Sequence, residues 1–183
     1  MDVKQFWHII EQTRAAAGSD VRKQEELLTE ALVELSGSEI VTFHDIYSEL
    51  TDRAYRADLW DAAYIIGCGC GDDGFYDFRG WLIGQGQAVY ERALQDPESL
   101  VDALDANFDA QLDTQIPLQF TAYRAYERKT GYEFPSRPRQ APRPILHGKL
   151  APTHEKKLAR FPKLDAKFGE ICREEPYGFG KSS

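Results

Sequence analysis

The sequence predicts an all-α protein, and three observations support that prediction. Apolar residues recur at intervals of three and four along most of the chain, which is the spacing of one helix face. Most of these runs end at a glycine or a proline, the residues that most often stop helices. Alternating β-branched runs, which would predict strands, are missing. A chain of 183 residues has the size of one compact multi-helix domain with an appendage.

Three helices are predicted in the N-terminal part of the chain. The first runs from Val3 to Ala17 and stops at Gly18. Asp20 is a suitable N-cap for the second helix, which carries a stripe of leucines. Ser38 follows a Gly-Ser break and is the expected N-cap of the third helix, which continues to Ala54.

Two further helices flank the corner GCGCGDDG. The fourth helix is expected to begin near Asp58 and to end at Gly67. The corner holds four glycines in eight residues, which predicts an irregular turn because glycine adopts backbone angles that other residues avoid. Asp72 or Asp73 is then a candidate N-cap for a long fifth helix, from about residue 74 to residue 95.

Small residues mark one ridge of the fifth helix. Gly80, Gly84 and Ala88 follow one another at intervals of four, so a neighbouring helix could approach closely there. After Pro97 we expect a short acidic segment to about residue 113. A further helix is predicted from about residue 117 to residue 130, because Gly131 would stop it.

Charge divides the chain into two parts. Residues 1–134 hold 11 Lys or Arg against 25 Asp or Glu, a net charge of −14, whereas residues 135–183 hold 11 against 5, a net charge of +6. The second part opens with PSRPRQAPRP, which predicts an extended linker. We therefore expect a helical domain over 1–134 and a basic tail over 135–183 that docks on the acidic body. The tail carries four apolar residues suited to a helical hook: Leu158, Phe161, Leu164 and Phe168.

The composition excludes several classes of protein. No run of 18 apolar residues exists, so no transmembrane helix is expected, and the first residues lack the pattern of a secretory signal. Cysteines number three, an odd count that favours a reducing compartment, and we expect a cytoplasmic protein. Cys68 and Cys70 have no second Cys or His pair at zinc-binding spacing, so neither a metal nor a cofactor is predicted.

Residues 54–86 read AYRADLWDAAYIIGCGCGDDGFYDFRGWLIGQG. This stretch resembles the signature of an uncharacterised bacterial family, domain of unknown function 4240. This sequence differs from the family pattern at Tyr76-Asp77, where family members often have Asp followed by Tyr. Phe6-Trp7 and the element around Tyr126 also look like the family, so the resemblance covers about residues 1–134. It implies a helical domain and no particular chemistry. The matching elements are Ala54-Tyr55, Asp58-Leu59-Trp60, Ala62-Ala63-Tyr64, Cys70, Asp72-Asp73-Gly74-Phe75 and Phe78-Arg79-Gly80-Trp81-Leu82-Ile83.

Charged residues at the corner are the first candidates for a functional site. Asp72 and Asp73 could bind a metal or act as an acid–base pair. Alternatively one of them caps the helix and both favour its positive N-terminus, and we consider this structural interpretation the better one. Arg79 could grip an anionic ligand, but pairing with Asp58 or Asp61 is the favoured alternative because an unpaired buried charge is costly.

Aromatic residues near the corner could wall a ligand pocket, although core packing is their default role. Among them are Trp7 and Tyr55. The sequence thus offers six candidate ligand-binding residues: Trp60, Tyr64, Asp72, Asp73, Arg79 and Trp81.

Three functional hypotheses follow. The first is a cytoplasmic helical binding or interaction module, with a groove between the fourth and fifth helices and an unknown protein or small molecule as partner. The second is a small-ligand enzyme, which would bring Asp72, Asp73 and Arg79 together in a concave pocket. The third is weak nucleic-acid binding by the basic tail, which the acidic body makes unfavourable. A homodimer is also compatible with the sequence.

Overall fold

The computed structural model of the chain describes residues 1–104, 108, 118–136 and 142–174, the side chains of 171–174 excepted. Within these residues the fold is all-α, as predicted, and 3₁₀ helices span Pro97–Asp102 and Leu118–Phe120. The expected acidic segment from Pro97 to residue 113 is described up to residue 104 and at residue 108, and the rest of it falls outside the described residues. The α-helices are α1 (Val3–Ala17), α2 (Val21–Val33), α3 (Gly37–Arg53), α4 (Ala57–Ile66), α5 (Asp72–Gly84), α6 (Gln87–Gln95), α7 (Thr121–Thr130), α8 (His154–Arg160) and α9 (Pro162–Glu174).

Side-chain caps begin the first three helices. The prediction for α1 is confirmed at both ends, and Asp20 caps α2 by accepting a hydrogen bond from the Lys23 amide. The cap of α3 was predicted at the wrong serine. Ser36 is the N-cap, and Glu39 reaches back to the Ser36 amide at 3.0 Å, which completes a capping box.

The predicted fifth helix is wrong in both its start and its length. Gly71 is the N-cap of α5 and no side chain caps it, so Asp72 and Asp73 are the first two residues of the helix. The helix also ends early, because Gly86 has a φ of +94° that turns the chain out of the helical path. The single helix expected from residue 74 to residue 95 is therefore two helices, α5 and α6.

Two glycines let α5 pack closely against its neighbours. A β-carbon on Gly80 would overlap the Tyr47 hydroxyl, and one on Gly84 would lie 2.6 Å from Cδ1 of Leu118. Real β-carbons do not approach other atoms so closely, so a side chain at either position would require Tyr47 or Leu118 to shift. The predicted ridge of small residues is thus confirmed for Gly80 and Gly84 but not for Ala88, which is exposed on α6.

Aromatic rings from several helices meet in the core. Ring centroids of Phe6 on α1 and Phe43 on α3 lie 4.6 Å apart, and those of Trp7 and Tyr90 lie 5.4 Å apart. Trp81 on α5 is fully buried in the same cluster. Burying a large apolar side chain contributes about 1.5–3 kcal/mol, so these contacts fix how α1, α3, α5 and α6 pack.

The segment from residue 147 to residue 170, which we call the hook, lies against the rest of the molecule. Its first contact is an isolated parallel bridge: the His147 carbonyl accepts from the Ala57 amide at 2.9 Å, and the His147 amide donates to the Tyr55 carbonyl at 3.1 Å. Helices α8 and α9 then pack on α4, and α9 also packs on the 3₁₀ helix Pro97–Asp102. The domain division after residue 134 stays a prediction. Three hook side chains belong to the main core cluster, namely Leu158, Phe161 and Leu164, and Phe168 packs at its edge.

No helix in the described ranges has both the length and the apolar character needed to span a membrane.

Candidate functional site

Arg79 is buried in the interior rather than held in a ligand pocket. Its side chain is only 6% exposed, and NH1 donates to the Thr51 carbonyl at 2.8 Å while Nε donates to the Phe75 carbonyl at 3.2 Å. Thr51 lies in the last turn of α3, where carbonyls lack helical partners and carry the negative end of the helix dipole. Burial lowers the pKa of the Arg79 guanidinium.

Aromatic rings surround the same guanidinium. Its central carbon lies 4.9 Å from the ring centroid of Tyr55, 5.0 Å from that of Phe75 and 5.4 Å from that of Tyr76. These cation–π contacts and the two carbonyls stabilise the buried charge. The predicted pairing of Arg79 with Asp58 or Asp61 is therefore wrong.

Asp58 pairs with its neighbour on the chain. Arg56 grips it with two hydrogen bonds, Nε to Oδ1 at 3.1 Å and NH2 to Oδ2 at 2.9 Å. Burial raises the pKa of Asp58, but the bonds from Arg56 and from the Leu59 amide outweigh that effect and hold the pKa below its usual value. Asp58 is thus a satisfied carboxylate near the start of α4.

Asp61 is the most strongly engaged carboxylate of the region. It lies on the buried face of α4 and has no exposed surface. Lys157 of the hook forms an ion pair with Oδ1, and Arg160 donates to Oδ2 at 2.9 Å. The Ala151 amide also donates to Oδ2, at 2.8 Å. All three partners come from the hook.

This Asp61 cluster was missed by sequence reasoning. The signal was present in part, because Asp61 stands among the apolar residues of α4 and a carboxylate buried there requires a cation. The basic tail supplies 11 candidate cations, and spacing alone does not select Lys157 and Arg160 from them.

The three aromatic candidates lie in different environments. Trp60 stacks on Phe75 at 4.7 Å, and its indole N–H donates to the Cys70 carbonyl at 2.9 Å. Tyr64 lies beside the Asp61 cluster, with Lys157 Nζ 5.2 Å from its ring centroid. Trp81 is 1% exposed and belongs to the core. Of the three, Tyr64 is the one placed next to buried charges.

Asp72 and Asp73 are exposed in the first turn of α5, where they favour the positive end of the helix dipole. Neither forms an ion pair with Arg79 in the described part of the chain, and the Arg79 guanidinium is occupied by backbone carbonyls and aromatic rings. The three charged candidates are thus not joined into one site by any such contact.

The cysteines at the corner differ from each other. Cys68 is disulfide-bonded, whereas Cys70 is free. Burial raises the pKa of the Cys70 thiol to about 12, which keeps it protonated and a poor nucleophile near neutral pH. Among the residues that the structure describes, no three His, Cys, Asp or Glu side chains gather as metal ligands would.

A family model described as a protein of unknown function (DUF4240) matches residues 1–128. No curated protein and no solved structure matches the chain.

Proposed function

The chain belongs to the DUF4240 family of proteins of unknown function, and we propose that it is a helical interaction module that binds a basic amphipathic helix of a partner protein. The binding surface is the docking groove, formed by α4 and the 3₁₀ helix Pro97–Asp102, which the hook fills in the free chain. The observation that carries the proposal is the position of Asp61, a fully buried carboxylate whose hydrogen-bond donors, within the described ranges, all belong to the hook.

The hook has the features of a helix-in-groove ligand. Leu158 on α8, Phe161 between the two helices and Leu164 on α9 are each at most 6% exposed. Buried apolar anchors of this kind are how amphipathic helical segments dock in hydrophobic grooves. A cationic pair beside these anchors engages Asp61, so shape and charge are recognised together.

Polar contacts at the far end of the groove complete this recognition. Lys167 Nζ donates to the Leu104 carbonyl at 2.7 Å and to the Val101 carbonyl at 3.1 Å. The Lys163 amide donates to Glu98 at 2.6 Å. Basic side chains of the hook thus meet carbonyls and carboxylates of the body along the groove, which favours a basic partner.

A partner helix would have to displace the hook. An intramolecular ligand competes at an effective concentration set by its linker, typically about millimolar for short linkers. The free protein would therefore bind a partner weakly, and any change that weakens the hook would raise the apparent affinity. This behaviour distinguishes a self-occupied module from an empty receptor.

The test weakens the hook without altering the groove. In the full chain, the double variant Lys157→Ala with Arg160→Ala should bind a fluorescein-labelled peptide of residues 147–170 at least about tenfold more tightly than the wild type, since 1.4 kcal/mol of hook stability corresponds to tenfold. Fluorescence anisotropy measures the affinity. A reductant in all samples prevents the disulfide at Cys68 from contributing.

A matched control removes the same charge elsewhere. Lys156 and Arg143 are exposed in the same tail, and neither contacts Asp61. The variant Lys156→Ala with Arg143→Ala should leave peptide affinity at the wild-type value. Equal affinities in test and control variants would contradict the proposal, as would a peptide that binds neither.

The other hypotheses have less support. No observation favours an enzyme that uses Asp72, Asp73 and Arg79, since the Arg79 guanidinium is engaged in the interior. Nucleic-acid binding is disfavoured because Lys157 and Arg160 are engaged by Asp61. The cytoplasmic location stays a prediction, and the disulfide at Cys68 counts against a strongly reducing compartment. A homodimer stays a prediction as well.

A further inference from the structure

A second surface carries features that the docking groove does not explain. Three aromatic side chains are unusually exposed at one place, namely Tyr76 of α5 at 43%, Phe120 at 49% and Tyr123 of α7 at 42%. Residues on α5 and on the 3₁₀ helix Leu118–Phe120 are joined here, because Gln119 Nε2 donates to Asp77 Oδ1 at 3.3 Å. We call Tyr76, Asp77, Phe120 and Tyr123 the aromatic patch.

The rim of the aromatic patch is held in place by its neighbours. The Tyr123 hydroxyl is hydrogen-bonded to His44 Nε2 at 3.1 Å, and its ring lies 4.5 Å from that of Phe134. Ring centroids of Phe120 and Tyr123 are 6.3 Å apart in an edge-to-face arrangement. Ordered aromatic rings lose little conformational entropy on binding, so this surface is suited to a ligand.

Asp77 is a half-buried carboxylate without a cation. Its one hydrogen bond among the described residues comes from the neutral amide of Gln119, and no ion pair reaches it there. Burial raises the pKa of Asp77, and the nearby charge of Asp73 acts in the same direction. A cation bound beside Asp77 would compensate this partly desolvated charge.

We propose that the aromatic patch binds an arginine side chain presented by a basic partner peptide. Charge complementarity selects a cation, because residues 1–134 carry a net charge of −14 and Asp77 lies within the patch. The exposed rings select a guanidinium over an ammonium, because a planar guanidinium stacks on aromatic faces and can grip a carboxylate with two parallel hydrogen bonds.

The molecule already accommodates one arginine in this way. Arg79 lies over Tyr55, Phe75 and Tyr76, with the Tyr76 ring centroid 5.4 Å from its central carbon. Tyr76 nevertheless keeps 43% of its surface exposed. The patch would therefore extend an existing arrangement of arginine and aromatic rings outward to a second guanidinium.

The direct test compares three side chains on one peptide. An acetyl-(Gly-Arg)₃-amide peptide should bind the full chain, its lysine counterpart should bind about tenfold more weakly, and a citrulline counterpart, which is planar but neutral, should not bind measurably. Fluorescence anisotropy of labelled peptides gives the affinities. Equal binding of the arginine and lysine peptides, or binding of the citrulline peptide, would overturn the proposal.

Variants separate the patch from general electrostatic attraction. Asp77→Asn keeps an oxygen for the Gln119 amide and should weaken binding of the arginine peptide about tenfold. Asp73→Asn removes the same charge from an exposed position and should change affinity less than about twofold. If the two variants weaken binding equally, the attraction is diffuse and the site does not exist.

Aromatic variants test the rings in the same assay. Phe120→Ala should weaken binding of the arginine peptide, whereas Tyr132→Ala removes an aromatic ring that is 75% exposed outside the patch and should have no effect. Weakening of the hook by Lys157→Ala with Arg160→Ala should also have no effect, so that failure of this proposal and failure of the proposed function are distinguishable.

Discussion

Tyr47 combines two features that rarely occur together at one residue. Its side chain is 4% exposed, and its hydroxyl has no hydrogen-bond partner among the residues that the structure describes. That hydroxyl also occupies the space that a β-carbon on Gly80 of α5 would need. A buried polar group without a partner typically costs about 1–3 kcal/mol. The contact between Tyr47 and Gly80 is therefore a place where stability can be gained by substitution.

A double-mutant cycle tests this contact. Tyr47→Phe removes the unpartnered hydroxyl and should leave the free energy of unfolding unchanged or raise it. Gly80→Ala should lower it by about 1–3 kcal/mol, because the new methyl overlaps that hydroxyl. The double variant should recover most of the stability that Gly80→Ala loses. It should also gain about 1 kcal/mol, because alanine favours the helix more than glycine does. Urea unfolding followed by circular dichroism measures the three values.

Gly84 provides the control for the cycle. A β-carbon there would meet Leu118 rather than Tyr47, at 2.6 Å. Gly84→Ala should therefore be destabilising in both the wild-type and the Tyr47→Phe backgrounds. A Tyr47→Phe substitution that rescued Gly84→Ala equally well would show that the effect is not local to the hydroxyl.

Asp77 and Asp58 should respond to pH in opposite ways. The pKa of Asp77 is raised above its usual 3.8, so the folded protein binds a proton at Asp77 more tightly than the unfolded chain does. The contribution of this proton binding to the free energy of unfolding is lost as pH rises through the folded pKa. The pKa of Asp58 is lowered, so its stability contribution is present above 3.8 and is lost as pH falls through the folded pKa.

Urea unfolding at a series of pH values tests both signs. At neutral pH, Asp77→Asn should be as stable as the wild type or more stable, and any advantage should disappear in acid. Asp58→Asn should be less stable at neutral pH, and its deficit should shrink in acid. If both variants changed the free energy of unfolding at neutral pH in the same direction, these assignments would be contradicted.

At the level of elements, local signals predicted most helices. Gly18 stops α1 with a φ of +69°, and Gly131 stops α7 in the left-handed conformation. The cap of α3 was readable as well, because Ser36 and Glu39 have the spacing of a capping box while Ser38 lacks that partner. Such features depend on a few neighbouring residues and are therefore visible in a sequence.

The break between α5 and α6 shows where local signals fail. Apolar residues keep helical spacing on both sides of Gln85 and Gly86, from Phe75 to Leu82 and from Val89 to Ala93, so periodicity predicts one helix. The left-handed Gly86 ends it, but a glycine inside a helical pattern is often tolerated. Packing of α6 decides the outcome: Tyr90 is fully buried and its hydroxyl donates to the Leu50 carbonyl at 2.7 Å.

The candidate site shows the same limit. Sequence reasoning singled out Arg79 and the apolar residues of α4, but Thr51, which accepts from Arg79, lies 28 positions away along the chain. The partners of Asp61 lie at least 90 positions away. Neither composition nor periodicity carries information about such pairings. Tyr64 is the candidate that the structure places beside the Asp61 cluster.

At the level of the whole molecule, the division of charge suggests two ways to hold the hook. Attraction between a body of net charge −14 and a tail of net charge +6 acts over long range and is screened by salt. The Asp61 cluster is buried, and buried pairs are screened much less. The salt dependence of hook docking therefore shows whether the long-range attraction or the buried Asp61 cluster dominates.

We expect the buried cluster to dominate. Between about 0.1 M and 1 M salt the Debye length falls from roughly 10 Å to 3 Å, yet amide hydrogen exchange in α8 of the wild type should change less than about threefold, because pairs shielded from solvent feel little of this screening. In Lys157→Ala with Arg160→Ala, the remaining attraction is long-range, so exchange in α8 should accelerate with salt.

The exposed-charge control, Lys156→Ala with Arg143→Ala, should behave as the wild type does. Exchange that accelerates equally in all three proteins would mean that surface charge holds the hook, and the role given to Asp61 would be wrong.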